Sequence, residues 1–275
     1  MAKEPGKLER ITVLGGGAWG STVADILARN GLNVLIWDIA EETAEMLTKE
    51  RCPFGVPELN LHESVVITND LEEAVAEADT LVMAVASQAV GEVSGNVARA
   101  LPAGHAPFVM NVAKGIDTKT LNLLGDTIKR SLPDCPYGLL SGPCIAREVA
   151  KGVPTSFVCA SEVHEHAVRV RDLISTPTLR AYTQDDLIGV ELGGALKNPI
   201  AIAAGVGDGL GYGANSKAGL MTRGLAEIAR LAVALGAKQT TMFGLAGLGD
   251  LAVTCFSEHS RNRTFGEALG KGRSP

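Results

Sequence analysis

Residues 11–38, ITVLGGGAWGSTVADILARNGLNVLIWD, decide the fold of this 275-residue chain. The apolar run ITVL at 11–14 ends in a glycine cluster, and STVADILARN then places apolar residues at helical period until Gly31 closes the pattern. A second apolar run, NVLIWD at 33–38, follows at once. Strand, tight loop, helix and strand in this order form a crossover unit whose two strands lie parallel. Further apolar runs at 65–67, 80–86, 108–113 and 137–140 alternate with helical segments, which argues for a parallel doubly wound sheet.

Inside the opening stretch, Gly15, Gly17 and Gly20 make a GxGxxG between strand and helix. Gly15 allows the tight turn, Gly17 lets backbone approach a pyrophosphate, and Gly20 lets the helix lie close to the sheet. The helix N-terminus then faces the phosphates. Asp38 ends the second strand 18 residues past Gly20, where a carboxylate can bind both ribose hydroxyls of an adenosine and repel a 2′-phosphate. NAD(H) is therefore favoured, with NADP(H) as the alternative cofactor. Asp38 can equally cap the helix that AEETAEML begins.

After LRAYT at 179–183 the strand signals stop, and glycine-punctuated helices follow at 187–206 and 215–235, with shorter ones beyond. The boundary falls near Gln184 to Asp186. The fold class is α/β: an N-terminal Rossmann-type doubly wound sheet over 1–185, then an all-α C-terminal domain over 186–275. The glycine-rich segment GVGDGLGYGAN at 205–215 reads as a mobile loop on composition.

Bulk composition narrows the function. With 46% hydrophobic and 20% charged residues, the chain can bury a core large enough for two domains. The 25 basic residues against 31 acidic ones give a net charge of −6 and no basic block, which argues against nucleic-acid binding. The charged start MAKEPGKLER lacks the apolar core of a signal peptide, and no apolar run suggests an integral membrane segment. Cys52, Cys135, Cys144, Cys159 and Cys255 are scattered and odd in number, without the spacing of a metal site, so a reduced, cytoplasmic protein is expected. The last stretch, GEALGKGRSP, has no terminating apolar element and reads as the exposed end of an incomplete chain.

The sharpest chemical signal is GVELGGALKNP at 189–199. It sets Lys197 in an apolar helical pattern, with Gly193 and Gly194 on the same face leaving space beside it for something other than a side chain. A poorly solvated lysine loses proton affinity from a reference pKa of about 10.4 and becomes usable as an acid or base. The alternative is an ammonium that snorkels to solvent beside glycines that only permit close helix packing.

Ligands of a doubly wound sheet sit at the carboxyl ends of its strands, so NVAKGID at 111–117 and LLSGPCIAREV at 139–149 face the cofactor crevice. Lys114 in the first can hold an anionic or carbonyl oxygen, or be a solvated turn lysine. Asp250 in GLGDL can be a site carboxylate or a cap for the helix LAVTCF. In HSRNR at 259–263, Arg261 can present forked donors to a phosphate with Asn262 beside it, or Arg261 and Arg263 can be surface charges. His259 has no partner at ligand spacing and is left as a loop residue.

Taken together, GGGAWG at 15–20, NVAKGI at 111–116, SGPCIAREVAKGVPT at 141–155, GVELGGALKN at 189–198, GLGDL at 247–251 and SRNRTFGEALGKG at 260–272 closely resemble bacterial NAD(P)-dependent sn-glycerol-3-phosphate dehydrogenases over nearly the whole chain. The resemblance implies interconversion of dihydroxyacetone phosphate and sn-glycerol 3-phosphate for phospholipid synthesis, by a homodimer. It implies Lys197 as proton donor or acceptor, and Lys114 in contact with both substrate and cofactor. Gly142, Cys144, Asp250, Ser260, Arg261 and Asn262 match substrate-binding positions. Ala18, Trp19, Ala146 and Arg261 match cofactor positions.

Three departures stand out. The family usually carries Ser or Thr at position 144, and Cys144 is a weaker donor. Many members have a polar or basic residue at the position of Asp38, which weights this chain toward NADH. The family also continues past the point where this sequence stops, through a segment that closes over the cofactor. Two other readings compete: a hydroxyacid-type dehydrogenase of the same two-domain build, and a non-catalytic NADH-sensing module.

Overall fold

The computed structural model describes residues 8–274; the start of the charged N-terminal stretch, residues 1–7, lies outside them. Eight strands form one sheet: β1 (Arg10–Leu14), β2 (Asn33–Trp37), β3 (Val66–Thr68), β4 (Thr80–Met83), β5 (Phe108–Asn111), β6 (Tyr137–Ser141), β7 (Thr155–Ala160) and β8 (Leu179–Gln184). Their spatial order is β3-β2-β1-β4-β5-β6-β7-β8, so the chain reverses direction across the sheet beside β1. The helices between and after them are α1 (Ala18–Arg29), α2 (Glu41–Glu50), α3 (Leu71–Val75), α4 (Val90–Ala100), α5 (Leu124–Ser131), α6 (Ala146–Ala150), α7 (His164–Ile174), α8 (Leu187–Gly209), α9 (Ala214–Ala234), α10 (Asp250–Phe256) and α11 (Arg261–Gly270).

Successive strand residues point to opposite faces, and both faces are covered by helices, so the central strands are apolar throughout. Ile11, Val13, Val82 and Met110 join one core cluster with Val23 and Leu27 of α1. Leu14, Leu81, Met83 and Val109 join the other, with Val93 and Val97 of α4 and Ile128 of α5.

An all-parallel sheet is expected from the alternation of apolar runs, and the structure departs from it at one edge. β7, at a segment not singled out as a strand, pairs antiparallel with β6, and β8 runs parallel to β7. An apolar run specifies burial but not direction, so this reversal leaves no mark in composition.

The remainder is helical. α8 packs against α9, α10 and α11. Its 23 residues are long and apolar enough to cross a membrane, yet most of its apolar window is buried by protein, as a core helix of the helical half. The segment 205–215 is not a loop: 205–209 ends α8, a tight turn follows, and α9 starts at Ala214. Its glycines serve packing. A Cβ on Gly205 would lie 2.0 Å from the Arg263 carbonyl oxygen, and one on Gly266 would lie 2.0 Å from that of Ile202. Gly209 and Gly270 repeat the arrangement one turn along, so α8 and α11 touch backbone to backbone.

Candidate active site

The glycine loop follows β1 and is shaped by contacts that exclude side chains. Gly15 has φ +115°, and a Cβ there would meet the Ala84 backbone at 2.9 Å, just past β4. A Cβ on Gly20 would lie 2.0 Å from the Gly15 carbonyl oxygen, so the first turn of α1 closes directly onto the loop. Gly17, by contrast, faces open space, with nothing within 4 Å of an added Cβ. It is also the N-cap of α1, which has no side-chain cap. The first N–H groups of α1 at Ala18, Trp19 and Gly20 therefore meet an open cradle, which fits the pyrophosphate of a dinucleotide. Trp19 packs edge-on against Phe157, with ring centroids 5.8 Å apart, and Ala18 and Ala146 rest on the same core.

Asp38 does two jobs at once. Its Oδ2 accepts from Gly16 N at 2.7 Å and its Oδ1 from Ala40 N at 3.0 Å, so it clasps the glycine loop and closes the turn ahead of α2. The helix-cap alternative is not what the structure shows: the N-cap of α2 is Ala40, with no side-chain cap, and the Asp38 carboxylate lies beside the glycine loop.

Lys114 and Gly142 follow β5 and β6 at the same end of the sheet as the glycine loop. Lys114 Nζ donates to the Gly142 carbonyl at 2.8 Å, to Cys144 Sγ at 3.0 Å and to Asp250 Oδ2 at 2.6 Å. Gly142, with φ +101°, turns its backbone toward this lysine in a conformation open to glycine. Thus Gly142 and Cys144 hold Lys114, whose ammonium is neither solvated nor in a simple turn.

Lys197 lies on α8 and is 7% exposed. It donates to Asp250 Oδ1 and, at 2.7 Å, to Thr254 Oγ1, which in turn donates to the Asp250 carbonyl at 2.6 Å. Snorkelling is excluded. Asp250 is fully buried at 0% exposure and gives one carboxylate oxygen to each lysine. Thr254, one turn after Asp250 on α10, is the member of this cluster that sequence reasoning passes over; the DxxxT spacing was its available signal.

The two glycines before Lys197 explain how the cluster assembles. The space beside them is filled by protein. A Cβ on Gly193 would come within 2.4 Å of the Ala246 carbonyl oxygen, in the π-helical turn 245–249 that leads into Asp250. A Cβ on Gly194 would sit 3.4 Å from the Lys114 stem and 3.1 Å from Ser141 Oγ. Each glycine thus admits one partner of Lys197's cluster to the face of α8.

One carboxylate between two ammonium groups leaves a net positive charge in a nearly dry site. Burial pushes the proton affinity of Lys197 down, the Lys114 charge adds to this, and Asp250 opposes it, leaving Lys197 below the ordinary lysine range. Burial also works against Lys114, but Asp250 and Cys144 more than offset it and hold that ammonium charged. Of the two lysines, Lys197 is the one whose hold on its proton is weakened.

The start of α11 faces the helix that carries Lys197. Asn262 Nδ2 donates to Asn198 Oδ1 at 2.8 Å, tying α11 to the residue after Lys197. Ser260 is buried as the N-cap, its Oγ accepting from Arg263 N at 3.3 Å. Arg261 is exposed, with no hydrogen bond or ion pair among the described residues. Arg263 is no surface charge: it is paired with Asp208 at 2.7 Å, side chains of both being 15% exposed. His259 is exposed in the preceding loop.

Both halves match known family models: residues 10–167 match the NAD-dependent glycerol-3-phosphate dehydrogenase N-terminus, and residues 186–275 the C-terminus. The chain belongs to the NAD-dependent glycerol-3-phosphate dehydrogenase family. It is similar to the glycerol-3-phosphate dehydrogenase [NAD(P)+] of Fusobacterium nucleatum, with 44% identity over 96% of this chain and 79% of the relative. The corresponding protein of Chlorobium limicola is 46% identical, over 96% of this chain and 80% of its own length. Among solved structures, glycerol-3-phosphate dehydrogenase from Coxiella burnetii superposes with a TM-score of 0.92 at 36% identity, covering 96% of this chain and 81% of that one. Family membership makes the chain an NAD(P)-dependent oxidoreductase, and it gives the uncapped α1 cradle and the lysine cluster one shared setting.

Proposed function

We propose that this glycerol-3-phosphate dehydrogenase interconverts dihydroxyacetone phosphate and sn-glycerol 3-phosphate with Lys197 as the proton donor and acceptor at the C2 oxygen. The observation that carries the assignment is the buried carboxylate of Asp250 held between Lys114 and Lys197 at the carboxyl end of the sheet. NAD(P)H, when bound, supplies the hydride. Gly15, Gly17, Ala18, Trp19 and Gly20 would hold its phosphates and adjoining groups, with Asp38, Lys114, Ala146 and Arg261 as further contacts. The Asp38 carboxylate favours NADH over NADPH.

In the reducing direction negative charge develops on the substrate oxygen. The Lys197 ammonium stabilises that charge and delivers its proton, while Lys114, kept charged, adds electrostatic stabilisation. Asp250 orients both and keeps Lys197 protonated before turnover. In the oxidising direction neutral Lys197 takes the hydroxyl proton back. Arg261 and Asn262 hold the substrate phosphate, with Ser260, Gly142 and Cys144 shaping the pocket. Arg261 is suited to this role because its guanidinium is committed to no other group among the described residues.

The sheet half, 1–185, serves the cofactor and the helical half, 186–275, the substrate. The enzyme works in the cytoplasm, a reading that rests on its scattered cysteines and charged start, and as a homodimer supplying glycerol 3-phosphate for phospholipid synthesis, which rests on the family resemblance. Following reduced-nicotinamide absorbance tests the function: oxidation of NADH on adding dihydroxyacetone phosphate is expected. Oxidation only with a 2-oxo acid, or with neither, would overturn it.

A further inference from the structure

A second polar bridge joins the helix of Lys197 to the loop of Lys114. It begins at Glu191, six residues before Lys197 on α8, which is buried although it carries a carboxylate. Glu191 Oε1 accepts from Gly125 N at 2.8 Å and from Tyr137 Oη at 3.1 Å. Tyr137 Oη in turn accepts from Asn111 Nδ2 at 3.3 Å. Asn111 then clasps the backbone of Ala113: its Oδ1 accepts from Ala113 N at 2.9 Å and its Nδ2 donates to Ala113 O at 3.3 Å. Ala113 precedes Lys114. Asn111 is 1% exposed and Tyr137 is 4% exposed.

The packing leaves no slack. A Cβ on Gly125 would lie 2.9 Å from Glu191 Oε1 and 3.0 Å from Tyr137 Oη, so a glycine is needed for the carboxylate to reach the first turn of α5. A buried polar chain costs stability unless each member is satisfied, and here every link meets another. One end holds the residue before Lys114, and the other is anchored on α8, the helix that carries Lys197.

We propose that Glu191, acting through Tyr137 and Asn111, is a positioning residue that fixes the Lys114 backbone relative to Lys197. This rests on the reading of Lys114 as a substrate-contacting lysine. Asp250 alone joins two long, flexible side chains and does not fix where their backbones lie. The bridge supplies that constraint from helix to strand end. Burial pushes the Glu191 carboxyl up to about 7, and Asp126 adds to this while Gly125 N–H, the Tyr137 hydroxyl and Lys129 oppose it. Either protonation state leaves an oxygen able to accept both bonds, so a glutamine can replace the acid but an apolar residue cannot.

The test uses four variants of the full chain: Tyr137→Phe, Glu191→Gln, Lys114→Ala and the Tyr137→Phe/Lys114→Ala double variant. Kinetics with dihydroxyacetone phosphate at saturating NADH are combined with NADH binding by fluorescence. Tyr137→Phe is expected to lower kcat/KM for dihydroxyacetone phosphate about tenfold with NADH affinity unchanged, and Glu191→Gln to stay within about twofold of wild type. In the Lys114→Ala background, adding Tyr137→Phe should cost less than about twofold, because the group it positions is gone. Tyr137→Phe at wild-type kcat/KM, or an equal loss in both backgrounds, would overturn the proposal while leaving the role of Lys114 intact. Near-normal activity of Lys114→Ala would overturn the reading of Lys114 and the proposal together.

Discussion

Gly193 lies against Ala246 so closely that a methyl group on it would come within 2.4 Å of the Ala246 carbonyl oxygen. That contact seats the turn 245–249 on α8 and delivers Asp250 to Lys197. Gly193→Ala must therefore push the turn away or bend α8. Overpacking of this kind costs about 1–3 kcal/mol. The variant is expected to unfold at lower denaturant concentration and to lose kcat more than it loses NADH affinity, as urea titration and steady-state kinetics would report. Wild-type stability and kcat together would show that the close approach does not seat Asp250.

The proton on Lys197 gives a pH signature. Burial, followed by the Lys114 charge, moves its proton affinity below the ordinary lysine range, against the pull of Asp250. Reduction of dihydroxyacetone phosphate needs the ammonium, so its rate falls as pH rises through the lowered pKa. Oxidation of glycerol 3-phosphate needs the free amine and rises through the same region. Opposed limbs for the two directions are expected in kcat profiles between pH 6 and about 10. Two profiles bending the same way would contradict a shared acid and base.

Arg261 carries a charge with no ion-pair partner among the described residues at the start of α11, which Asn262 fastens to Asn198. If it holds the substrate phosphate, Arg261→Ala should lower kcat/KM for dihydroxyacetone phosphate by about a hundredfold, the scale of a lost charge-assisted pair. At saturating NADH, unphosphorylated dihydroxyacetone, which offers no phosphate, should lose far less than dihydroxyacetone phosphate in the same variant. Equal losses on the two substrates would place Arg261 on the cofactor alone.

The cofactor half was legible because its signals are local: the glycines, their flanking strand and helix, and Asp38 all lie within one short segment. The direction of β7 was not, since TSFVCA reads the same whichever way it runs, and only its pairing with β6 sets it. Gly205 and Gly209 misled for a related reason. A helix-packing glycine looks like a loop glycine until its partners are known, and here those are Arg263, Glu267 and Gly270, far along the chain. Lys197 and Asp250 stood out as charges in apolar or glycine-rich settings, and the structure brings them together. Glu191 did not stand out, because its meaning depends on Gly125 and Tyr137, which sequence cannot place beside it.

The central claim is that Lys197 transfers the proton and does not merely brace the fold around Asp250. Lys197→Met keeps the stem and removes the ammonium, so the decisive measurement is its NADH oxidation rate with dihydroxyacetone phosphate, alongside its NADH dissociation constant. A loss of at least about a thousandfold in kcat with NADH binding unchanged is the expected result. Turnover within a few fold of wild type would contradict the assignment.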